Sequence, residues 1–153
     1  MSIASALFSD SQSRVYAWLF GQPERTYHFS ELLRLTGLGS ASLQRELRRL
    51  AEAGLVRSER VGNLRCYVAN AQSPVFDELV ALTRKALGTV PLLRAALAPL
   101  QPRLQAAWVY GSVARQADKA DSDVDIMLVG NDLLLSEVLD VLVPLEPQLG
   151  RKI

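Results

Sequence analysis

The chain has 153 residues, 49% of them hydrophobic, and its 17 basic and 16 acidic side chains nearly cancel. This suits one ordinary domain or two small ones with packed cores, and a single cysteine, Cys66, excludes an internal disulfide. Residues 1–13 lack the features of a signal peptide, and the apolar stretch 133–145 is too short to cross a bilayer, so we expect a soluble cytoplasmic protein without membrane contact.

The first predicted elements are a helix at 10–20, ended by Gly21, and a short strand at 26–29. Ser30 is the predicted N-cap of a second helix at 31–36. The inner face of the first helix is predicted to carry Val15, Trp18 and Leu19.

A third helix is predicted to run from Ser40 or Ser42 to Ala53 and to end at Gly54. Leucines at the i, i+4 and i+7 spacing give this helix an inner face, made of Leu43, Leu47 and Leu50. Its outward residues are Ser40, Ser42, Gln44, Arg45, Arg48 and Arg49.

Two alternating segments, 55–60 and 65–69, predict strands joined by a hairpin turn at 61–64. Residues 1–72 carry nine arginines, no lysine and six acidic residues, a net charge of +3. Arginine binds phosphate and guanine through two parallel hydrogen bonds, so this bias fits nucleic-acid binding by the first half of the chain.

The order helix, short strand, helix, turn, helix and hairpin resembles the winged helix-turn-helix of bacterial arsenic-repressor-like transcriptional regulators. In that family the third helix enters the major groove, and the hairpin, called the wing, contacts the DNA backbone or the minor groove. The resemblance implies that Gln44 and Arg45 read base edges of double-stranded DNA, and that Arg48 and Arg49 contact phosphates. The implied DNA contacts of the wing are Arg60, Asn63 and Arg65. The alternative is a winged domain used for dimerisation or protein contact, with solvated arginines.

Residues 73–104 are predicted to form a helical linker. Ser73-Pro74 starts a helix that Gly88 ends, and residues 89–91 start a second helix to about Leu97. The first of these helices has an apolar side, which either belongs to the linker or pairs with its symmetry mate in a homodimer.

Further along, an apolar run at 106–110 predicts a buried strand with Trp108 in the core, and a second strand is predicted at 123–129. Because residues two apart on a strand share a face, Asp123 and Asp125 project together. Adjacent carboxylates repel each other unless a cation lies between them, and Mg²⁺ is the usual cation with oxygen ligands.

The segment between the two strands begins with Gly111 and Ser112. A glycine lets a phosphate approach the backbone closely. Ser112 is predicted to lie at a helix N-terminus, where free N–H groups and the helix dipole favour an anion. Phosphate binding and metal binding are thus predicted side by side.

The Gly111-Ser112 pair, followed at the expected spacing by the Asp123-x-Asp125 motif, resembles the signature of minimal nucleotidyltransferases of the DNA polymerase beta superfamily. The resemblance implies that Gly111, Ser112 and Arg115 bind a nucleoside triphosphate. It also implies that Asp123 and Asp125 are catalytic, Mg²⁺-binding carboxylates, completed by a third carboxylate from a later strand. The alternative is a Gly-Ser turn followed by a solvated acidic edge.

A last helix is predicted after Asp132 or Ser136, and Arg151 opens the strand on which the superfamily would carry its third carboxylate. The sequence stops at Ile153 without such a carboxylate, so we expect either a shortened version of a longer protein or a naturally curtailed domain. The corresponding expectation is weak binding of Mg²⁺ and nucleoside triphosphate, with little or no catalysis.

Together the elements predict an α+β protein with a winged helix-turn-helix at 1–72, a helical linker at 73–104 and a small α/β nucleotidyltransferase-like domain at 105–153. The favoured hypothesis is a dimeric, DNA-binding transcriptional regulator whose last domain binds Mg-nucleotide. The alternative is an active Mg²⁺-dependent enzyme that transfers a nucleoside monophosphate to a hydroxyl of a protein, small molecule or nucleic acid, including antitoxin-type action.

Overall fold

The computed structural model describes residues 3–111 and 122–153. The chain divides into two compact units, Met1–Gly88 and Thr89–Ile153, and each unit has a hydrophobic core of its own. Both units mix helices and strands. Within the described ranges, no helix has the length and apolarity that crossing a membrane requires.

The described part of the first unit contains five helices: α1 (Ile3–Leu7), α2 (Asp10–Leu19), α3 (Phe29–Thr36), α4 (Ser40–Glu52) and α5 (Phe76–Leu87). The predicted helices at 10–20, 31–36 and 40–53 are therefore confirmed to within two residues at each end. A capping box starts α2, because the Ser9 hydroxyl accepts a hydrogen bond from the Gln12 N–H at 3.2 Å while the Gln12 side chain accepts one from the Ser9 N–H at 2.9 Å.

The start of α3 differs from the prediction. The helix begins at Phe29, so His28 occupies the N-cap position and makes no side-chain capping bond. Ser30 lies inside the first turn, and its predicted role as N-cap is wrong. The short strand before α3 leads directly into the helix, which leaves no separate capping residue between them.

Three antiparallel strands, in the order β1–β3–β2, complete the first unit: β1 (Tyr27–His28), β2 (Val56–Val61) and β3 (Leu64–Ala69). The predicted hairpin is confirmed, with Val61 opposite Leu64 across a two-residue turn. Gly62 has a φ of 61°, and this positive φ is what such short turns require.

The core of the first unit is built on the apolar faces of its helices. Leu43, Leu47 and Leu50 of α4 are buried, as their spacing predicts. Val80 of α5 packs into the same core. Residues 76–87, which the sequence analysis places in a linker, thus pack with the first unit, while residues 89–100 belong to the second.

The described part of the second unit contains α6 (Thr89–Ala96), β4 (Leu104–Tyr110), β5 (Asp125–Gly130), α7 (Leu135–Leu142) and α8 (Glu146–Leu149), with single 3₁₀ turns at Ala98–Leu100 and Val143–Leu145. Strands β4 and β5 pair antiparallel, with Trp108 opposite Met127 and Tyr110 opposite Asp125. Leu134 occupies the N-cap position of α7, so the predicted cap at Asp132 or Ser136 is wrong.

The two faces of the β4–β5 pair have different surroundings. Val109, Ile126 and Leu128 pack on the second core, whose buried members come from α6, α7, α8, the turns beside them and Val124 just before β5. Trp108 lies on the opposite face and is 53% exposed, so its predicted burial is wrong. Alternation along a strand forces this outcome, because Val109 faces the core.

Candidate functional site

The two aspartates flank a buried valine just before β5. Val124 is 2% exposed, and its N–H donates a hydrogen bond to the Lys152 carbonyl oxygen at 2.8 Å. Asp123 and Asp125 on either side of it are exposed. Fixing Val124 in the core turns both neighbouring carboxylates outward, which is the arrangement that the alternation predicted.

Gly111 lies directly beside one of these carboxylates. The register pairs Tyr110 with Asp125, which brings the next residue, Gly111, against the Asp125 side chain. A Cβ at Gly111 would collide with Oδ2 of Asp125 and would lie 3.3 Å from its Cγ. Gly111 also has a φ of 75°, a conformation that strongly favours glycine. The backbone geometry therefore favours glycine here, and any larger side chain would have to displace the Asp125 carboxylate.

The donor set is suited to a hard cation. Asp123 and Asp125 offer exposed carboxylate oxygens, the ligand type that Mg²⁺ prefers, and water or phosphate oxygens would have to supply the remaining ligands. Among residues 3–111 and 122–153, no three His, Cys, Asp or Glu side chains group so that they could hold a metal ion. Ser112 and Arg115, the other predicted nucleotide contacts, lie outside the described residues.

Two other carboxylates of the second unit have structural partners. Glu146 Oε1 accepts a hydrogen bond from the Ile153 N–H at 3.0 Å. Glu137 of α7 pairs with Arg103 at 2.9 Å. The hydrogen bond from Arg103, helped by one from the Leu134 N–H, lowers the pKa of Glu137. Both carboxylates thus have partners within the second unit.

A second candidate surface lies on α4. Gln44, Arg45 and Arg48 are exposed on the side opposite the buried leucines, as predicted; Ser40 is also exposed, and Ser42 is half-buried. Arg45 donates to the Ser42 hydroxyl at 3.3 Å. In the part of the chain that the structure describes, neither Arg45 nor Arg48 forms an ion pair. Both guanidinium groups can therefore take an anionic partner.

Arg49 has a different environment from its neighbours on α4. Its guanidinium pairs with Glu46 at 2.7 Å and donates to the Tyr16 hydroxyl of α2 at 3.4 Å. The hydrogen bond with Glu46, and then the one with Tyr16, raises the pKa of Arg49. Arg49 thus connects α4 to α2, a role that its position in the sequence does not distinguish from phosphate binding.

The hairpin brings two cations together. Arg60 and Arg65 are directly opposite each other on β2 and β3, and both are exposed. Like charges at opposed positions destabilise a sheet, unless an anion lies against them. Asn63 is exposed in the adjoining turn. The three predicted wing residues therefore lie at one end of the hairpin.

One pair of residues was missed from the sequence. His28 is exposed, and its Nδ1 lies 3.1 Å from Sγ of the buried Cys66. No local pattern in the sequence predicts this contact. The sequence predicts the short strand that contains His28, but Cys66 is 38 residues further along the chain. Only the pairing of β1 with β3 shows that the two side chains are neighbours.

Two comparisons with known proteins match part of the chain. The family model described as "Polymerase beta, Nucleotidyltransferase" matches residues 95–153. The solved structure titled "Crystal structure of M.tuberculosis Rv0081" is 36% identical, with a TM-score of 0.40, and the match covers 54% of this chain and 81% of that one. No curated protein matches the sequence. The family match includes Gly111, Asp123 and Asp125, and residues 95–153 are therefore a nucleotidyltransferase-like domain.

Proposed function

We propose that this protein is a cytoplasmic transcriptional regulator, whose first unit binds double-stranded DNA and whose nucleotidyltransferase-like domain binds Mg-nucleotide. The observation that carries the proposal is the difference between the buried and the exposed face of α4. The helix buries Leu43, Leu47 and Leu50, and exposes Gln44, Arg45 and Arg48. A helix anchored on one face, with arginines on the other, suits the major groove.

The first unit is proposed to be a winged helix-turn-helix of the arsenic-repressor-like type. In this proposal α3 and α4 are the helix-turn-helix, Gly37 makes the turn between them, and β2–β3 is the wing. Gln44 and Arg45 would read base edges. Arg48 and the opposed pair Arg60 and Arg65 would contact phosphates, which would relieve the repulsion across the hairpin.

Arg49 is proposed to position α4 rather than to bind DNA as its main role. Its guanidinium already bonds Glu46 and Tyr16, so a phosphate contact would have to compete with both. Holding α4 against α2 keeps Arg45 and Arg48 in a fixed direction, which reduces the entropy that DNA binding costs.

In the second unit, Asp123 and Asp125 are proposed to hold Mg²⁺, with the triphosphate approaching the backbone at Gly111. The exposed carboxylates of Asp123 and Asp125 are suitable ligands for Mg²⁺. Gly111 has no side chain, and the Asp125 carboxylate lies where its Cβ would be, so the phosphate position and the metal ligand are adjacent. Bound Mg²⁺ would neutralise phosphate charge. The nucleotide would act as an effector of the regulator.

The family match favours one alternative, an active nucleotidyltransferase. In that reaction an acceptor hydroxyl of a protein, small molecule or nucleic acid attacks the α-phosphorus, and pyrophosphate leaves; an antitoxin modifying its partner protein is one case. Such chemistry calls for a base or a further metal ligand beside Asp123 and Asp125. Among residues 3–111 and 122–153, no third ligand is grouped with them.

The protein is further proposed to act as a homodimer, because one recognition helix reads only a few base pairs and a two-fold operator would double the contact. Apolar side chains remain exposed on α1 and just before and within α5: Ile3, Leu7, Val75 and Leu82. Sedimentation at tens of micromolar tests this point. A dimer with or without DNA is expected, and a monomer in both samples would contradict it.

The DNA proposal is tested by titrating DNA from upstream of the protein's own gene with purified variants. Arg45→Ala should cost about 1–3 kcal/mol on a specific site, if its contact is bidentate to a base. Arg48→Ala should weaken binding to all DNA sequences evenly. It should also reduce the slope of log affinity against log salt concentration by roughly the amount that one phosphate contact contributes. Arg84→Ala removes the same charge from an exposed position on α5 and should change nothing. Equal binding by all three variants and the unmutated protein would refute the assignment of α4.

A further inference from the structure

The open face of the β4–β5 pair carries two large aromatic side chains. Trp108 and Tyr110 are 53% and 50% exposed, and both lie on the face that turns away from the second core. Met127, opposite Trp108, is exposed as well. Aromatic rings are usually buried because their large apolar area is costly to hydrate. Two rings left exposed on one strand form a surface on which a flat ligand can stack.

This aromatic surface is continuous with the two carboxylates. Asp125 is the direct cross-strand partner of Tyr110, so the two side chains share the open face. Asp125 leans over Gly111, which follows Tyr110 in the chain. Trp108 precedes Tyr110 by two residues on β4, so it lies on the same face and about 7 Å further from the carboxylates along the strand. A ligand bound at Asp125 and Gly111 therefore has an aromatic platform next to it, on the same side of the sheet.

We propose that Trp108 and Tyr110 form the subsite for the base of the nucleotide whose phosphates lie at Gly111 and whose metal is held by Asp123 and Asp125. This inference rests on the proposed Mg-nucleotide binding and adds the residues that hold the base. Bases stack on aromatic side chains through their π-faces, and this stacking depends little on which base is bound. The sulfur-containing side chain of Met127 adapts to the edge of a stacked ring.

Charge on the same face selects a nucleotide over a protein partner. A protein surface covering Trp108 and Tyr110 would also cover Asp125, which forms no ion pair within the described residues. Burying an unpaired carboxylate is costly. A metal-bound nucleotide instead supplies a cation to the carboxylates and an apolar base to the rings, so it complements both ends of the surface.

The test compares two probes, Mg-ATP and Mg-tripolyphosphate, which share the phosphate chain and differ in the nucleoside. The unmutated protein should bind Mg-ATP about tenfold or more tightly than Mg-tripolyphosphate, since base stacking contributes on that order. Trp108→Ala should remove most of this difference without changing tripolyphosphate affinity. Trp108→Phe keeps a ring and should retain much of the difference. Leu135→Ala, which trims an exposed apolar side chain of α7, is the matched control.

Tryptophan fluorescence gives a second readout. Trp18 is buried in the first unit, so quenching by ATP should come from Trp108 and should vanish in Trp108→Ala. Equal affinity for both probes, unaffected by Trp108→Ala, would overturn the base subsite and leave the phosphate and metal site standing. Binding of neither probe would overturn both this inference and the proposed nucleotide binding. A change from dimer to monomer in Trp108→Ala, with unchanged ATP affinity, would show that a second copy covers this face and would likewise overturn the subsite.

Discussion

The carboxylate of Asp125 occupies the space where a side chain at Gly111 would begin. The antiparallel register of β4 and β5 creates this contact by placing Tyr110 opposite Asp125. The glycine thereby joins the predicted phosphate position to the predicted metal ligand. A substitution at Gly111 should act on the proposed metal site through Asp125, in addition to any effect on the backbone.

Gly111→Ala should therefore lower the affinity for Mg-nucleotide, by about tenfold if Asp125 loses its metal-binding rotamer. The added methyl group also strains a backbone with a φ of 75°, which should cost roughly 1 kcal/mol of folding stability. Calorimetry with Mg-ATP and urea denaturation measure the two effects separately.

Gly54→Ala is the matched control for this variant. Gly54 has a φ of 72°, and nothing lies within 4 Å of the position its Cβ would take. It should show a similar loss of stability with unchanged Mg-ATP affinity. If both variants bind Mg-ATP as the unmutated protein does, the contact between Gly111 and Asp125 has no role in binding.

The ion pair between Arg103 and Glu137 predicts a pH dependence for the second unit. The Arg103 hydrogen bond lowers the pKa of Glu137 from its ordinary value of 4.5. A carboxylate with a lowered folded-state pKa stabilises the fold above its unfolded pKa, and this contribution is lost as the pH falls through the folded pKa.

Glu137→Gln should therefore be less stable than the unmutated protein near pH 7, and the two should converge as the pH falls below about 4.5. Because the pair is on the surface, added salt should shrink the difference. Thermal unfolding followed across pH 3–7 checks this. A difference that stays constant over that range would mean that the ion pair is not its cause.

A third prediction concerns Thr83 of α5, which is 1% exposed and whose hydroxyl has no hydrogen-bond partner among the described residues. An unsatisfied buried hydroxyl is unfavourable, and valine has the same shape without it. Thr83→Val should raise the free energy of unfolding by about 1 kcal/mol in urea denaturation. Thr83→Ser keeps the hydroxyl and loses a methyl group, so it should be destabilised. Loss of stability in Thr83→Val would show that the hydroxyl is bonded.

Periodicity predicted those parts of the fold in which neighbouring residues decide the structure. The leucines of α4 and the alternation around Val124 each define a buried face within a few positions, and both predictions are confirmed. The helix caps predicted at Ser30 and at Asp132 or Ser136 were wrong, because the N-cap positions fall on His28 and Leu134, where the path of the chain rather than a capping side chain sets the helix start.

The remaining errors depend on contacts between distant segments. The run around Trp108 is apolar on both faces, so its sequence does not show which face a helix layer covers. The contact between His28 and Cys66 requires the pairing of β1 with β3. Likewise, Arg48 and Arg49 look equivalent in the sequence, and only the position of Tyr16 on α2 distinguishes them.

The central claim is that Asp123 and Asp125 form a Mg-nucleotide site in a protein whose DNA contacts lie elsewhere. The most direct test is calorimetry of ATP, with and without Mg²⁺, on the unmutated protein and on Asp123→Asn/Asp125→Asn, with DNA affinity measured on the same preparations. Mg²⁺-dependent ATP binding should disappear in the double variant, because neutral amides are poor Mg²⁺ ligands, while DNA affinity stays within about twofold. Equal Mg-ATP binding by both proteins would contradict the account and would reduce the two aspartates to surface charges.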